Sequence, residues 1–185
     1  MTGFAERLVT IDGARVRALE AGEGPALVVI GRDAPDPLDA LLARRAKVVI
    51  VPAAAGAAFS AARELGLDRF TPVVRGADAT TMLALAAREP AQVRSVVLLG
   101  PTPPGAELAA APMPVLALFG TRDTVSTREA RRWRAGLADC HVVMVYDAGA
   151  DPAVERPEAV ADVVLDFLEH EDRFLVTHAS GQLYP

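Results

Sequence analysis

The sequence has one cysteine, one lysine, few aromatic residues and no long apolar run. The single cysteine, Cys140, excludes an internal disulfide framework. The longest apolar runs, such as 26–30 and 48–51, have the length of β-strands and fall far short of the roughly 18–20 residues that span a bilayer. The amino terminus has no basic segment followed by an apolar stretch, so no signal peptide is expected. These absences predict a cytoplasmic protein that does not interact with a membrane.

The charge pattern also excludes classes of partner. The formal net charge is −5, and Lys47 is the only lysine among nineteen basic residues. The charges are spread along the chain without a basic stripe or an aromatic series, so no nucleic-acid partner is expected. The three histidines and the carboxylates lack metal-ligand spacing, and the sequence predicts neither a metal nor another cofactor.

Apolar runs of strand length alternate with segments of helical period. The opening strands, 7–11 and 14–20, flank Asp12-Gly13, a dipeptide typical of tight hairpin turns. Asp36 is placed to cap the first helix, and Ser126 with Glu129 has the spacing of a capping box. Further strands are predicted at 26–30, 47–51, 70–74, 93–99, 114–119 and 141–146, and helices at 37–45, 53–67, 78–88, 126–137 and 156–170.

This alternation predicts an α/β fold, because helices between parallel strands cover both faces of one sheet. We expect one domain over residues 1–170, followed by a tail of residues 171–185. The sheet should have eight strands and be mostly parallel, with an antiparallel hairpin at its start. Ligands bind such sheets at the carboxyl ends of the strands. The site is therefore expected at that edge.

Five segments resemble, in order, parts of the α/β-hydrolase family. Residues 65–70 are similar to the approach to the nucleophile strand, 83–90 to the end of the helix that follows it, and 93–101 to the next strand and its exit. Residues 120–123 are similar to the turn that carries the acid of the triad, and 155–158 to the segment after the catalytic histidine. The resemblance extends over about residues 8–168 and implies an α/β-hydrolase-like fold.

The resemblance also shows what this chain lacks. The family's nucleophile lies in a G-x-S-x-G elbow, and the matching residues 74–78 place Gly76 at the nucleophile position. The histidine position falls on Ala150, whereas the acid is retained as Asp123. A triad without nucleophile and imidazole cannot operate. Only residues 101–113 occupy the place of the family's cap, so no cap domain is expected, and the site should be open or closed by another chain.

Other residues could restore catalysis only under a different alignment. A shift of two residues would make Asp78 an aspartate nucleophile, but a carboxylate in the first turn of a helix is favoured there by the helix dipole alone. Cys140 and His141 are adjacent on a predicted strand, so their side chains point to opposite faces of the sheet. They also lie at the start of that strand, at the edge opposite to the expected site. The remaining histidines and serines lack a catalytic context: His170, His178, Ser60, Ser95, Ser126 and Ser180.

The family's oxyanion hole consists of backbone N–H groups, which survive the loss of side chains. The matching positions are Ala77 and the Gly31–Arg32 turn, and Arg32 and Arg75 should lie near the same mouth. Such donors beside a helix N-terminus can hold an anion. The predicted binding residues for a small organic or carboxylate ligand are Gly31, Arg32, Arg75, Gly76, Ala77, Thr102 and Asp151.

Three functions follow from these residues. The first is a non-hydrolytic pseudo-hydrolase that binds a small molecule or regulates another protein. The second is an active enzyme on the same fold, either a hydrolase with Asp78 as nucleophile or a lyase or cofactor-free enzyme that uses Asp78, Asp123 or Asp151 as a base. The third is a structural subunit whose open site is covered by a partner chain or by a second copy.

Overall fold

The computed structural model describes residues 3–11, 13–52, 54–102, 111–170 and 174. Strands and helices alternate through most of this part of the chain, as the sequence predicts. The elements are β1 (Ala5–Ile11), β2 (Ala14–Ala21), β3 (Ala26–Ile30), α1 (Pro37–Leu42), β4 (Lys47–Val51), α2 (Ala57–Glu64), β5 (Thr71–Arg75), α3 (Asp78–Arg88), β6 (Val96–Leu99), β7 (Val115–Gly120), α4 (Ser126–Gly136), β8 (Cys140–Val145), α5 (Pro152–Glu155) and α6 (Pro157–His170).

The strands form one eight-stranded sheet in the order β1-β2-β4-β3-β5-β6-β7-β8. β1 and β2 form the predicted antiparallel hairpin, with Ile11 paired to Ala14. β2 is also antiparallel to β4, and the remaining neighbours are parallel. The eight-stranded, mostly parallel sheet is therefore confirmed.

Helices cover both faces of the sheet, which explains why the central strands are almost uniformly apolar. On one face α2, α3 and α4 bury Phe59, Met82 and Trp133 against the sheet. On the other face α1 and α6 bury Leu42 and Phe167. Among the described residues, no helix combines the length and the apolar character needed to cross a membrane.

Several predicted element bounds were too wide. α1 ends at Leu42, and α2 runs only from Ala57 to Glu64. Gly66, at φ +66°, lies just beyond α2 in a backbone conformation that breaks a right-handed helix. β6 begins at Val96, because Val93 forms only an isolated bridge with Phe70.

The predicted capping box at Ser126 is wrong. The N-cap of α4 is Val125, and no side chain caps the helix there. Instead, the Asp123 carboxylate accepts a hydrogen bond from the Val125 N–H at 3.1 Å. This local turn sets the start of the helix one residue before the serine, so Ser126 is already helical.

The chain beyond α6 returns to the core at one described position. Phe174 is 4% exposed, and its ring lies edge-on to those of His141 and Phe167, at centroid distances of 5.3 and 5.4 Å. The segment predicted as a tail after residue 170 thus contributes an aromatic side chain to the core. His178 and Ser180 lie outside the described residues.

Candidate ligand site at the carboxyl edge of the sheet

The predicted site residues lie on the turns that follow parallel strands. Gly31 and Arg32 follow β3, and Gly76 and Ala77 follow β5. The turns after β6, β7 and β8 carry Thr102, Asp123, Ala150 and Asp151. Since the carboxyl ends of parallel strands meet at one edge, the fold brings these segments together where ligands bind doubly wound sheets.

Gly76 forms the turn between β5 and α3. Its φ is +54°, in the left-handed region that favours glycine. Its N–H donates to the Leu99 carbonyl at 3.2 Å, and its own carbonyl accepts from the Thr102 N–H at 3.2 Å. A Cβ added to Gly76 would meet no heavy atom within 4 Å among the described residues. The turn therefore has the sharp strand-to-helix geometry of an elbow and space for a side chain, but no side chain to react.

Asp78 lies two residues beyond this turn. It is the first residue of α3 and is exposed. At that place a carboxylate is stabilised by the positive end of the helix dipole. Its position agrees with the structural role suggested by the sequence and places it on the helix, beyond the apex of the turn.

The turn between β8 and α5 carries Ala150 at the predicted histidine position. A Cβ on Gly100 would lie 2.3 Å from the Ala150 carbonyl oxygen, and one on Gly120 would lie 2.0 Å from that of Gly149. Only glycine permits this approach of β6 and β7 to the turn. Asp151 caps α5 by accepting the Val154 N–H at 3.3 Å. These contacts hold the turn, which presents a methyl group at the predicted histidine position.

A small cavity of about 140 Å³ opens beside Asp123. Glu129 also reaches this cavity from α4, although it is only 5% exposed, and it pairs with Arg132 at 3.3 Å. The lining residues are Gly100, Pro101, Thr102, Phe119, Asp123, Val125, Glu129 and Ala150. Sequence analysis assigned Glu129 to a capping box and so missed it as a site residue. Its spacing of four from the apolar Trp133 was the signal that it borders the buried face of the helix.

On the other face of the sheet, five charged residues form an arginine–aspartate network: Arg32, Asp36, Asp39, Arg75 and Asp151. Arg32 donates to both Asp36 and Asp39. Arg75 donates to Asp36 and lies 3.4 Å from Asp151. The network joins the turns after β3 and β8 to the last residue of β5. With three carboxylates and two guanidiniums, it has no surplus positive charge.

Burial within the network affects the charge of Arg32. Desolvation lowers the pKa of the Arg32 guanidinium, and the opposing effect of the Asp36 carboxylate is smaller. Both arginines that were predicted to attract an anion already contact carboxylates of the chain itself. A carboxylate ligand would have to compete with Asp36 for them.

Asp39 is the site residue that sequence analysis missed most completely. It is 1% exposed and accepts the Asp36 N–H at 2.8 Å, while Asp36 accepts the Asp39 N–H at 3.1 Å. The two aspartates thus cap α1 reciprocally, as in a capping box. The spacing of three between them was the available signal, but nothing local indicated that Arg32 would cover the second carboxylate.

The backbone donors at this edge are only partly free. The Gly31 N–H donates to the Val51 carbonyl at 3.0 Å, so it serves the structure of the turn. Between described residues, no backbone carbonyl accepts a hydrogen bond from the N–H groups of Arg32 and Ala77. These two groups are the donors that remain for a ligand oxygen.

The cysteine and its neighbouring histidine lie at the opposite edge. Burial raises the pKa of the Cys140 thiol to about 12, so the thiol stays protonated near neutral pH. The His141 ring packs against two aromatic rings and lies 3.2 Å from the Asp139 carboxylate. In the described part of the chain, no group of three or more potential ligands could hold a metal ion.

Solved structures resemble this chain over most of its length. The 2-hydroxy-6-oxo-6-phenylhexa-2,4-dienoate hydrolase of Rhodococcus sp. strain RHA1 has a TM-score of 0.76 and 14% identity, covering 91% of this chain and all of its own. Naproxen esterase of Bacillus subtilis has a TM-score of 0.74 and 12% identity, covering 90% and 92%. A predicted CIB-like hydrolase of Thermoplasma acidophilum has a TM-score of 0.72 and 12% identity, covering 91% and 99%.

Sequence comparison finds neither a matching family model nor a matching curated protein. The structural likeness, at identities below 25%, is a likeness of fold. It agrees with the eight-stranded, mostly parallel sheet and its opening hairpin. This chain has the α/β-hydrolase fold.

Proposed function

We propose that the chain is a pseudo-hydrolase, which binds a small molecule at the carboxyl edge of the sheet and does not hydrolyse it by a triad. The observation that carries this proposal is Gly76. It occupies the turn between β5 and α3 in a left-handed conformation, with space around it and no nucleophilic side chain. A nucleophile elbow needs a reactive atom at that apex.

The position of the histidines supports the same conclusion. Ala150 stands on the turn after β8, where a triad would need a general base. The described histidines are His141, at the start of β8, and His170, at the end of α6. Both are remote from the turns after the strands, so neither can exchange a proton with a ligand there.

The contacts at the edge favour a small neutral organic ligand. The cavity of about 140 Å³ has apolar walls from Phe119, Val125 and Ala150 and one hydroxyl from Thr102. Its two carboxylates, Asp123 and Glu129, disfavour an anionic ligand. The arginine–aspartate network offers no spare cation to a carboxylate. The N–H groups of Arg32 and Ala77 suit a carbonyl oxygen, because a neutral acceptor requires no compensating charge.

A second candidate is an enzyme that uses a carboxylate as a base. It is favoured by one observation, the presence of Asp123 and the buried Glu129 at the same cavity. Such an enzyme would need no serine and no histidine. Its activity would depend on Asp123 or Glu129 and would be indifferent to Gly76.

Turnover of a panel of activated aryl esters tests the proposal. The purified chain is compared with Asp78→Ala, Asp123→Ala and the designed variant Gly76→Ser/Ala150→His. We expect no turnover above background in the first three and measurable turnover only in the last. Turnover in the native chain that disappears in Asp78→Ala or Asp123→Ala would overturn the pseudo-hydrolase and identify a carboxylate mechanism.

A further inference from the structure

We infer that the exposed side of α4 is a docking surface for an acidic segment of a partner protein. Four arginines occupy this helix, and together they are called the α4 arginine face: Arg128, Arg131, Arg132 and Arg134. All four are exposed. The sequence, taken linearly, showed no basic stripe. The fold creates one by directing the apolar side chains of the same helix into the core.

Three of the four arginines of this face lack an acidic partner among the described residues, as Arg15 and Arg63 do elsewhere, but here they lie together on one helix. Elsewhere Arg7, Arg17 and Arg45 each lie within 3 Å of a glutamate oxygen. In the part of the chain that the structure describes, only Arg132 of the α4 arginine face forms an ion pair, with the buried Glu129. The other three guanidiniums have no acidic partner among the described residues and can bind carboxylates from outside.

The helix tolerates these charges at a local cost. Arg128, Arg131 and Arg134 follow one another at intervals of three, and Arg132 lies four residues after Arg128, so like charges are neighbours on the surface. Arg128 also lies in the first turn, where the positive end of the dipole disfavours a cation. Within the described chain, the Glu129–Arg132 ion pair and the position of Arg134 in the last turn offset these repulsions only in part. Local rules that are broken without full compensation are typical of functional surfaces.

The face is held rigidly, which favours recognition. Trp133 is completely buried beneath it, and Ala130 and Leu137 fix the helix on the same side. The three unpaired guanidiniums are spread over six residues, about 9 Å along the helix axis. Arginine forks bind carboxylates through two parallel hydrogen bonds, and arginine is enriched in protein interfaces where lysine is depleted.

The rest of the molecule selects among anionic partners. The chain as a whole is negative, at −5, so its surface beyond α4 repels an extended polyanion such as a nucleic acid. Among the described side chains, the exposed side of α4 carries arginines and Ala135, and the large apolar side chain exposed at this helix is Val125 at its N-cap. One valine at the end of the helix is too little to insert into a membrane. A short segment with two or three carboxylates matches both the charge and the length of the face.

A defined peptide tests this inference on the full chain. The probe is a fluorescein-labelled helical peptide with glutamate at every third position, compared with the same peptide in which glutamine replaces each glutamate. Fluorescence anisotropy measures binding to the native chain, to Arg131→Glu/Arg134→Glu and to Arg15→Glu/Arg63→Glu. The last variant is the matched control, because Arg15 and Arg63 are exposed, have no ion pair in the described chain, and give the same net charge.

We expect the glutamate peptide to bind at least tenfold more tightly than the glutamine peptide. The α4 variant should lose at least tenfold in affinity, and the control should stay within twofold of the native chain. The α4 variant should also unfold at about the same temperature as the native chain, because the like-charge repulsion that it removes offsets the loss of a favourable cation from the last turn of α4. This combination separates a docking surface from an arginine face that serves only the fold.

Four outcomes would overturn the inference. Equal losses in the two variants would assign binding to net charge, and equal binding of the two peptides would remove the role of the carboxylates. Tighter binding of a short DNA duplex or of phosphatidylserine vesicles would assign the face to another class of partner. Concentration-dependent self-association that is lost only in the α4 variant would assign it to a second copy of the chain.

Discussion

Asp39 is the side chain whose removal should disturb the carboxyl edge most. It is 1% exposed and binds both the Arg32 guanidinium and the Asp36 N–H. Asp39→Asn keeps the size of the side chain and an oxygen that can accept the backbone hydrogen bond. It removes the charge, so Arg32 is left with Asp36 as its remaining acidic partner at this point.

The expected loss of stability depends on how far the Arg32 charge stays compensated after the change. Breaking a fully buried ion pair by removing one partner costs about 3–5 kcal/mol. The Arg32 side chain retains 18% exposure and a second partner, so part of its charge stays compensated. We therefore expect Asp39→Asn to lower the free energy of unfolding by about 2–3 kcal/mol. Asp39→Ala also loses the cap bond, which adds about 1 kcal/mol.

Urea denaturation followed by circular dichroism measures the effect by linear extrapolation. Asp162→Asn is the matched control, because Asp162 is an exposed helical aspartate. A double-mutant cycle with Arg32→Met should show that the costs of the two changes are not additive. A loss below about 0.5 kcal/mol in Asp39→Asn, as is usual for surface substitutions, would refute the view that this ion pair is buried and structurally important.

Three further predictions concern other parts of the fold. Cys140 should react with a thiol reagent at pH 8 more than tenfold more slowly in the native chain than in urea, because its pKa is raised to about 12. This group therefore makes the free energy of unfolding fall as the pH rises from about 9 toward 12, and fast labelling of the native chain would contradict the desolvation of this partly buried thiol. Gly120→Ala should lower the free energy of unfolding in urea by more than about 2 kcal/mol, because its Cβ would lie 2.0 Å from the Gly149 carbonyl oxygen. Gly56→Ala is the control and should be tolerated, because a Cβ there meets open space, and equal effects of the two changes would refute the close approach at Gly120. Phe174→Ala should lower the free energy of unfolding, measured by calorimetry, by about 3 kcal/mol. An unchanged Tm would show instead that Phe174 does not anchor the chain beyond α6.

The order of elements was predictable because it depends on neighbours in sequence. The hairpin at Asp12-Gly13 follows from turn chemistry, and the alternation of strands and helices follows from the period of the apolar residues. The same local signals placed Asp36 at the start of α1. The loss of nucleophile and histidine at Gly76 and Ala150 remains a prediction from resemblance, and the positions of both residues at the turns agree with it.

The capping box predicted at the start of α4 was wrong because two local hydrogen-bond patterns compete there. Ser126 and Glu129 have the spacing of a capping box, yet Asp123 forms the turn before α4 and Glu129 reaches the cavity. Both arrangements satisfy the same rules of hydrogen bonding. The packing of Trp133 against the sheet sets the rotation of α4 about its axis. That rotation turns the Glu129 side chain toward the buried side of the helix.

By itself, the sequence determined the class of fold, and it predicted a site at the carboxyl edge of the sheet together with the residues of the turns there. Only the tertiary structure decided their partners. Arg75 meets Asp36 and Asp151, which are 39 and 76 positions away, because the ends of β5 and β8 and the start of α1 converge in space. The arginines of α4 form one exposed face only when Trp133 is buried beneath them. Periodicity is a property of neighbouring residues, whereas charge pairing between distant segments depends on where the completed sheet brings their ends.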